Sequence, residues 1–540
     1  MRDLSSLLQA LGRLGTHFIG EHFADRFGDA QALVERLIRL VVYGTKLKLY
    51  EVNSVAQNVL QSDFIEVHAQ ALATLKAYSH WLSQFGMQSQ SHNDHKEKFF
   101  TIMSTVIDSL LPLFEKDVPE KIVQSAAHLM VSVCITIRPP FLLQIPDIQK
   151  FFSAASQGSC CSFSNDVQTL IYRSLSHYLI LPWPNITESD QQWADRSTMH
   201  QTFMKQLTSQ YRQLKDSTTL SDDKNFQDQV KPCIKKTLQV LTDIIESLAG
   251  EVVKSKQICY QSIQEPVQVS LQLFSIYIHQ PDVMDSILTF FLALFQSQRV
   301  QMGIPFTEQV IRTFMDMFTR EQLAEIILSE SRSGIRVIEK FLKVLELIVQ
   351  EPGSAFKAFL PTIISLIMEH IYPIIAERSS PDIKSSVYET LHQLLLHNWR
   401  YFFKGNILTT MQKTQAEEVE NQPQFVTIMQ KIFIELMLDQ FLNVLLQVLV
   451  HKSHDLLQEE IGITVYNMAS VDFERFYSTF LPQFLTNCEG LDNNQKAILA
   501  QNFKMDKDLP SFTQSVHRIV NDLRYYRLCN SSLPAGSVRF

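Results

Sequence analysis

Glycine is scarce in this chain of 540 residues, 15 in all, and proline is modest at 19. Tight hairpins and βαβ connections draw on both, so the supply is too small for an all-β or alternating α/β chain of this length. Cysteine is equally sparse. The seven present are odd in number and widely spaced, which argues against a disulfide framework and for free thiols in a reducing compartment. Positive charge is also in deficit, with 48 Lys and Arg against 56 Asp and Glu and a formal net charge of -8. No overall basic field is therefore available to condense on nucleic acid or on an anionic bilayer. The longest apolar runs, 287–295 and 444–450 interrupted by Gln447, fall short of the about eighteen residues that a membrane helix needs. The N-terminal MRDLSSLLQALGRLG lacks the apolar core and small-residue cleavage site of a secretory signal. An intracellular chain without nucleic-acid or membrane partners is expected.

Motifs with catalytic mechanics are missing as well. No G-x-x-x-x-G-K-[ST], G-x-G-x-x-G or G-x-S-x-G occurs, so neither a phosphate cradle nor a nucleophile elbow is expected. His92 and His95, and His451 and His454, have ligand-like spacing, but each pair supplies two ligands where structural zinc takes four. His392 and His397 fall on different faces of one helix and read as surface or satisfied core histidines. Glu417-Glu418 and Glu459-Glu460 sit in polar surroundings, where a solvated surface explains them better than a general acid and base. The vicinal Cys160-Cys161 has no second pair in register. Asn185-Ile186-Thr187 matches a glycosylation acceptor that an intracellular chain would not use. We expect no enzyme activity, no cofactor and no metal site.

What the sequence does hold is helical periodicity. In 354–403, Phe356, Phe359, Leu360, Ile363, Ile364, Ile367, Ile371, Ile374 and Ile375 step by one, three and four, which lays them on one wide face at 3.6 residues per turn. Ile383, Val387, Leu391, Leu394, Leu395 and Trp399 form a second such stripe. Between the two, Ser380 can cap a helix whose first position is Pro381, where a missing N–H costs nothing. Two antiparallel helices with wide apolar faces need similar neighbours on either side. The stretch 99–137 repeats the order of parts: Pro112 and Pro119 flank its turn as Pro373 and Pro381 flank the later one. The whole chain reads as roughly nine to ten such pairs at a period of about 40 to 55 residues, in or just above the HEAT and armadillo range. The expected fold is all-α: a HEAT/armadillo-like α-solenoid of antiparallel hairpins. Its expected parts are repeats over 1–185, a polar insertion with one helix over 186–230, repeats over 231–404, a polar loop over 405–424, C-terminal helices over 425–528 and a disordered tail over 529–540.

One local composition suggests binding. Trp399-Arg400-Tyr401-Phe402-Phe403-Lys404 closes the second helix of the hairpin with four aromatic rings and two cations. Exposed Trp, Tyr and Arg are the residues of interface hot spots, which makes Trp399, Arg400, Tyr401 and Lys404 the candidate partner-binding residues. The competing reading, and the preferred one, is that Trp399, Phe402 and Phe403 join one repeat to the next.

The end of the chain carries a more particular signal. Leu481-Pro482-Gln483-Phe484, Gln495, Asn502-Phe503, Asp508, Pro510-Ser511-Phe512 and 520–523 resemble the closing helices of the exportins of the importin-β (karyopherin) superfamily. The hairpin pattern extends the resemblance over essentially the whole chain, and it is nearest to the branch that exports actin bound to profilin. The resemblance implies a carrier that binds protein cargo in the nucleus together with the GTP form of the GTPase Ran, passes the nuclear pore on contacts with pore proteins, and releases both in the cytoplasm. It implies no catalytic residue, because nucleotide chemistry is left to the GTPase. Family members are much longer, and the repeats by which they grip Ran are expected to precede the segment represented here. The alternative from another class is a static HEAT scaffold or regulatory subunit of a multiprotein complex.

Overall fold

The computed structural model describes residues 2–15, 27–48, 58–89, 93–137, 145–182, 188–215, 220–221, 223–329, 331–351, 356–376, 381–402, 421–430, 438–451, 455–503 and 505–530. Every regular element among them is helical, and the fold is the all-α solenoid that the periodicity predicts. The chain divides into two compact units, Met1–His397 and Asn398–Phe540.

The first unit is built from helices α1 (Arg2–Gly15), α2 (Phe27–Leu47), α3 (Asn58–Ala77), α4 (Ser79–Ser89), α5 (Asn93–Leu110), α6 (Glu120–Ile137), α7 (Pro146–Ser156) and α8 (Asn165–Ile180). It continues through α9 (Asp190–Leu207), α10 (Lys224–Ser247), α11 (Val253–Ile276), α12 (Pro281–Ser297), α13 (Ile304–Met317), α14 (Arg320–Leu328) and α15 (Arg332–Val349). One row of helices stacks in the order α1, α3, α6, α8, α10, α12, α15, each on the next. Helices of the other layer pack across it, α2 on α5, α9 on α11 and α11 on α13. Apolar contact supplies most of each joint: Leu72 and Leu75 of α3, Ala126 and Met130 of α6, Leu238 and Leu241 of α10, and Phe290 and Phe291 of α12 are all buried. Full burial of such an aliphatic or aromatic side chain is worth about 1.5–3 kcal/mol. Polar pairs then fix the register. The Thr74 hydroxyl of α3 donates to the Leu8 carbonyl of α1 at 2.9 Å, the Arg173 guanidinium of α8 grips the Asp243 carboxylate of α10, and the Lys340 ammonium of α15 donates to Asp285 of α12 at 2.5 Å.

The hairpin at 354–403 closes this unit. Its first arm runs as α16 (Leu360–Ser365), a π-helical turn (Leu366–Ile371) and α17 (Tyr372–Ala376). The wider π turn buries four consecutive-face residues, Leu366, Ile367, Met368 and Ile371, and packs on α14. Phe356, Phe359, Leu360, Ile363, Ile364, Ile367, Ile371 and Ile375 are buried as the stripe predicts, whereas Ile374 is half-buried. This arm, 357–376, is also one helix long and apolar enough to cross a membrane by length and composition. Its apolar side chains are instead spent on the core. The second arm is α18 (Pro381–Phe402), with Pro381 at its first position; Ser380 lies outside the described residues.

Two boundaries fall elsewhere than the composition suggests. Helix α10 starts at Lys224, capped by the Asp223 carboxylate on the Asn225 N–H at 2.8 Å, so it crosses the expected join at 230/231 and carries Pro232 inside it. The segment around 190–207 is a packed helix lying against α8 and α11, not a region set apart from the array. The physical reason is that its buried face is partly polar. Arg196, His200, Phe203 and Met204 point inward, and two of the four do not register in an apolar count.

The second unit holds the last turn of α18, then α19 (Gln422–Met429), α20 (Leu438–His451), α21 (Gln458–Ala469), α22 (Leu481–Asn487), α23 (Asn493–Asn502) and α24 (Leu509–Asn530). A π-helical turn (Phe476–Phe480) leads into α22. Its core is one cluster from Leu438 to Leu523, centred on Phe512, which meets Tyr466 at 5.4 Å, Phe476 at 5.5 Å and Phe503 at 6.2 Å between ring centroids. The expected loop 405–424 overlaps the start of α19, and most of it, with the tail from 531, lies outside the described residues.

Candidate functional site

Helix α18 breaks at Asn398, whose φ of -123° and ψ of 26° are not helical. The four residues beyond it turn toward α19. The Asn421 amide donates to the Tyr401 carbonyl at 3.0 Å, satisfying a backbone acceptor that the helix end would leave open. The Tyr401 hydroxyl donates to Gln424 Oε1 at 3.1 Å. Phe402 is fully buried, edge-on to Tyr401 at 5.1 Å and 5.8 Å from Phe425. Of the four candidate binding residues, then, Tyr401 is half-buried and hydrogen-bonded within the second unit, and Arg400 is exposed beside it. The Trp399 side chain and Lys404 lie outside the described residues. The structure thus gives this helix end a packing role through Phe402 and leaves Arg400 at the surface.

Where the sequence offers possible chemistry, the side chains stand apart. Among the described residues no group of three or more His, Cys, Asp or Glu could hold a metal ion. His392, His397 and His451 are exposed, as are Glu459 and Glu460 at the start of α21. His92, His454, Glu417, Glu418 and Asn185–Thr187 lie outside the described residues, and the side chains of Asn93, Asp94 and His95 do also. Cys160 is buried and Cys161 exposed; burial pushes the Cys160 thiol up, against the Ser159 hydroxyl that lowers it.

Sequence patterns miss a polar seam between α8, α9 and α11. His200 is fully buried and spans two serines, with Nε2 3.0 Å from Ser176 Oγ and Nδ1 2.8 Å from Ser262 Oγ. Burial brings its pKa down to about 3, so the ring is neutral and serves as a peg. Nearby, Arg196 donates from Nε to the Leu179 carbonyl at 2.6 Å and from Nη1 to both oxygens of Glu188. This ion pair is almost wholly buried and closes the carbonyl end of α8 much as a cap does. A serine repeated on one face of α11, at 255, 262 and 270, is the signal that could have revealed it: each bonds across, to Ile180, His200 and Tyr211. None of this arrangement is catalytic, because no group is both reactive and open to a substrate.

The residues that carry the family resemblance have definite places in the second unit. Gln495 completes a capping box with Asp492 at the start of α23, and Asp508 accepts the Ser511 N–H at 3.0 Å at the start of α24. Phe484, Phe503 and Phe512 are core. The family model named Exportin-6, C-terminal TPR repeats, matches residues 430–529. Exportin-6 of Homo sapiens is 54% identical over 100% of this chain and 51% of its own length. Exportin-6 of Danio rerio is 48% identical over 100% of this chain and 50% of its own, and that of Dictyostelium discoideum 28% identical over 98% and 51%. A solved structure, the crystal structure of She4p, aligns at a TM-score of 0.20 and 11% identity over 96% of this chain and 84% of its own, too loosely to bear on fold or function. The chain spans about half the length of the curated relatives it matches. Over its full length the chain is similar to the exportin-6 proteins, and its residues 430–529 match the family model of their C-terminal repeats.

Proposed function

We propose that the chain supplies the C-terminal repeats of a nuclear export receptor, one that binds actin–profilin cargo together with the GTP form of Ran, carries it past nuclear pore proteins and shuttles between nucleus and cytoplasm. The observation that supports this is the 54% identity to human exportin-6 in an alignment that spans all of the chain. Stacked hairpins suit such work, since each repeat touches only its neighbours and a large partner can be met by many of them at once. Ran would be held mainly by repeats N-terminal to this segment.

The test compares the 540-residue chain with one carrying the N-terminal repeats of the human relative ahead of it. Each is immobilised in nuclear extract with and without GTP-locked Ran. Actin and profilin are expected on the longer chain only when Ran-GTP is present. Cargo retained equally without Ran would overturn the reading, and a stoichiometric complex with another enzyme, indifferent to nucleotide, would replace it with a static scaffold. Trp399, Arg400, Tyr401 and Lys404 are proposed as a contact for cargo. Arg400→Glu in the longer chain is expected to reduce cargo retention about tenfold, the effect of losing one hot-spot residue; full retention would leave this helix end as a joint alone.

A further inference from the structure

Helix α1 is seated firmly at one end of the stacked row. The Thr74 hydroxyl of α3 donates to its Leu8 carbonyl at 2.9 Å, and the Tyr78 hydroxyl to its Leu11 carbonyl at 3.1 Å. Leu8 is buried. Gly15 permits the close approach of the two helices, since a Cβ there would stand 2.9 Å from the nearest atom of the Tyr78 ring. The side chains that α1 leaves open are therefore not those of a loosely held end.

The apolar arc of α1 is wider than the face that α3 covers. Leu4, Leu7, Leu11 and Leu14 recur at steps of three and four, which lays them in one stripe beside Leu8 and Gly15. Leu4 and Leu11 are half-buried, whereas Leu7 is 56% and Leu14 49% exposed. The rest of the row differs. Among the described residues α3, α8, α10, α12 and α15 expose no large apolar side chain, and α6 exposes Ile135 alone. The packing accounts for the difference: α3 lies between α1 and α6, α8 between α6 and α10, and α10 between α8 and α12, while α1 packs on α3.

Single apolar side chains scattered over a surface need no explanation, but a stripe along a helix does. Its occupant follows from the lengths of the relatives. About half of human exportin-6 lies outside the aligned region, and because residues 430–529 match the family's C-terminal repeats, that half lies on the N-terminal side of the segment aligned with α1. We propose that the leucine stripe of α1 is the joint on which the preceding repeat of the longer array docks, covering Leu7 and Leu14 with the apolar face of one amphipathic helix. This inference concerns the array and not its cargo, so it does not rest on the export reading.

The experiment compares the 540-residue chain with one carrying the N-terminal half of the human relative ahead of it. Leu7→Cys and Leu14→Cys are made in both, with Gln9→Cys as a control at an exposed polar position of α1. Maleimide labelling is followed by peptide mass spectrometry. The exposed native Cys161 and Cys529 serve as rate standards, and the buried Cys134 and Cys259 report that the array is folded. In the 540-residue chain, positions 7 and 14 are expected to label at about the rate of the standards. In the longer chain they should label at least about tenfold more slowly, with position 9 equally fast in both. Labelling of positions 7 and 14 at the same rate in the two chains would overturn the proposal. So would labelling that slows as the concentration of the 540-residue chain rises, because that would assign the stripe to a second copy.

Discussion

His200 shows how one residue can fix two joints and tie the fold to pH. Its ring is held neutral between Ser176 and Ser262 with a pKa of about 3, against about 6.5 in an unfolded chain. Between those values the unfolded state binds the extra proton, so the stabilisation is present in full above about pH 6.5 and declines as pH falls toward 3. At pH 5 the loss from this residue amounts to about 2 kcal/mol. Urea unfolding of the wild type should therefore weaken between pH 7.5 and pH 5, and His200→Gln should flatten that dependence while lowering stability at pH 7.5. An unaltered slope in the variant would show that other groups carry it. Phe402 is a second decisive residue. Fully buried beside Tyr401 and Phe425, it should cost about 3–5 kcal/mol on truncation in Phe402→Ala, read as a lower urea midpoint for the second unit.

At the scale of helices, most of the fold was legible where burial is apolar. The stripe from Phe356 to Ile375 was readable because branched aliphatics fill the face that packs, although the π turn within it could not be read from spacing. Helix α9 shows the opposite case. Its inward face depends on Arg196 and His200, whose partners Glu188, Ser176 and Ser262 come from elsewhere in the chain, and no local pattern announces that they will be satisfied. At the end of α18 composition marks the stretch as adhesive, and it is the packing of Phe402 that shows which side chain adheres to the protein itself. The start of α23 is fixed locally. The capping box at α23 pairs the Asp492 carboxylate with the Gln495 N–H at 2.8 Å and the Asp492 N–H with Gln495 Oε1 at 3.0 Å. Asp492→Ala should cost about 1 kcal/mol, and hydrogen exchange should rise in the first turn of α23 while α24 keeps its protection; unchanged exchange would remove the cap from the account.

At the scale of the molecule, stability is distributed over neighbouring pairs. Asp285 of α12 accepts from Lys340 at 2.5 Å and meets Arg336 at 3.3 Å, both on α15. Asp285→Asn should destabilise that joint by about 1–2 kcal/mol, partial exposure keeping it below the cost of a fully buried pair. Exchange mass spectrometry is expected to show loosening in α12 and α15, fading along the row toward α1. Loosening spread evenly over residues 2–397 would mean that the unit unfolds as one cooperative body. The stacked row α1, α3, α6, α8, α10, α12, α15 also limits how such a chain can change in length. Removing one helix would reverse the layer of every helix after it and present polar faces to the core, whereas removing a hairpin would leave the later layers in place. Insertions and deletions should therefore be tolerated in hairpin-sized steps, and single-helix deletions should yield insoluble protein.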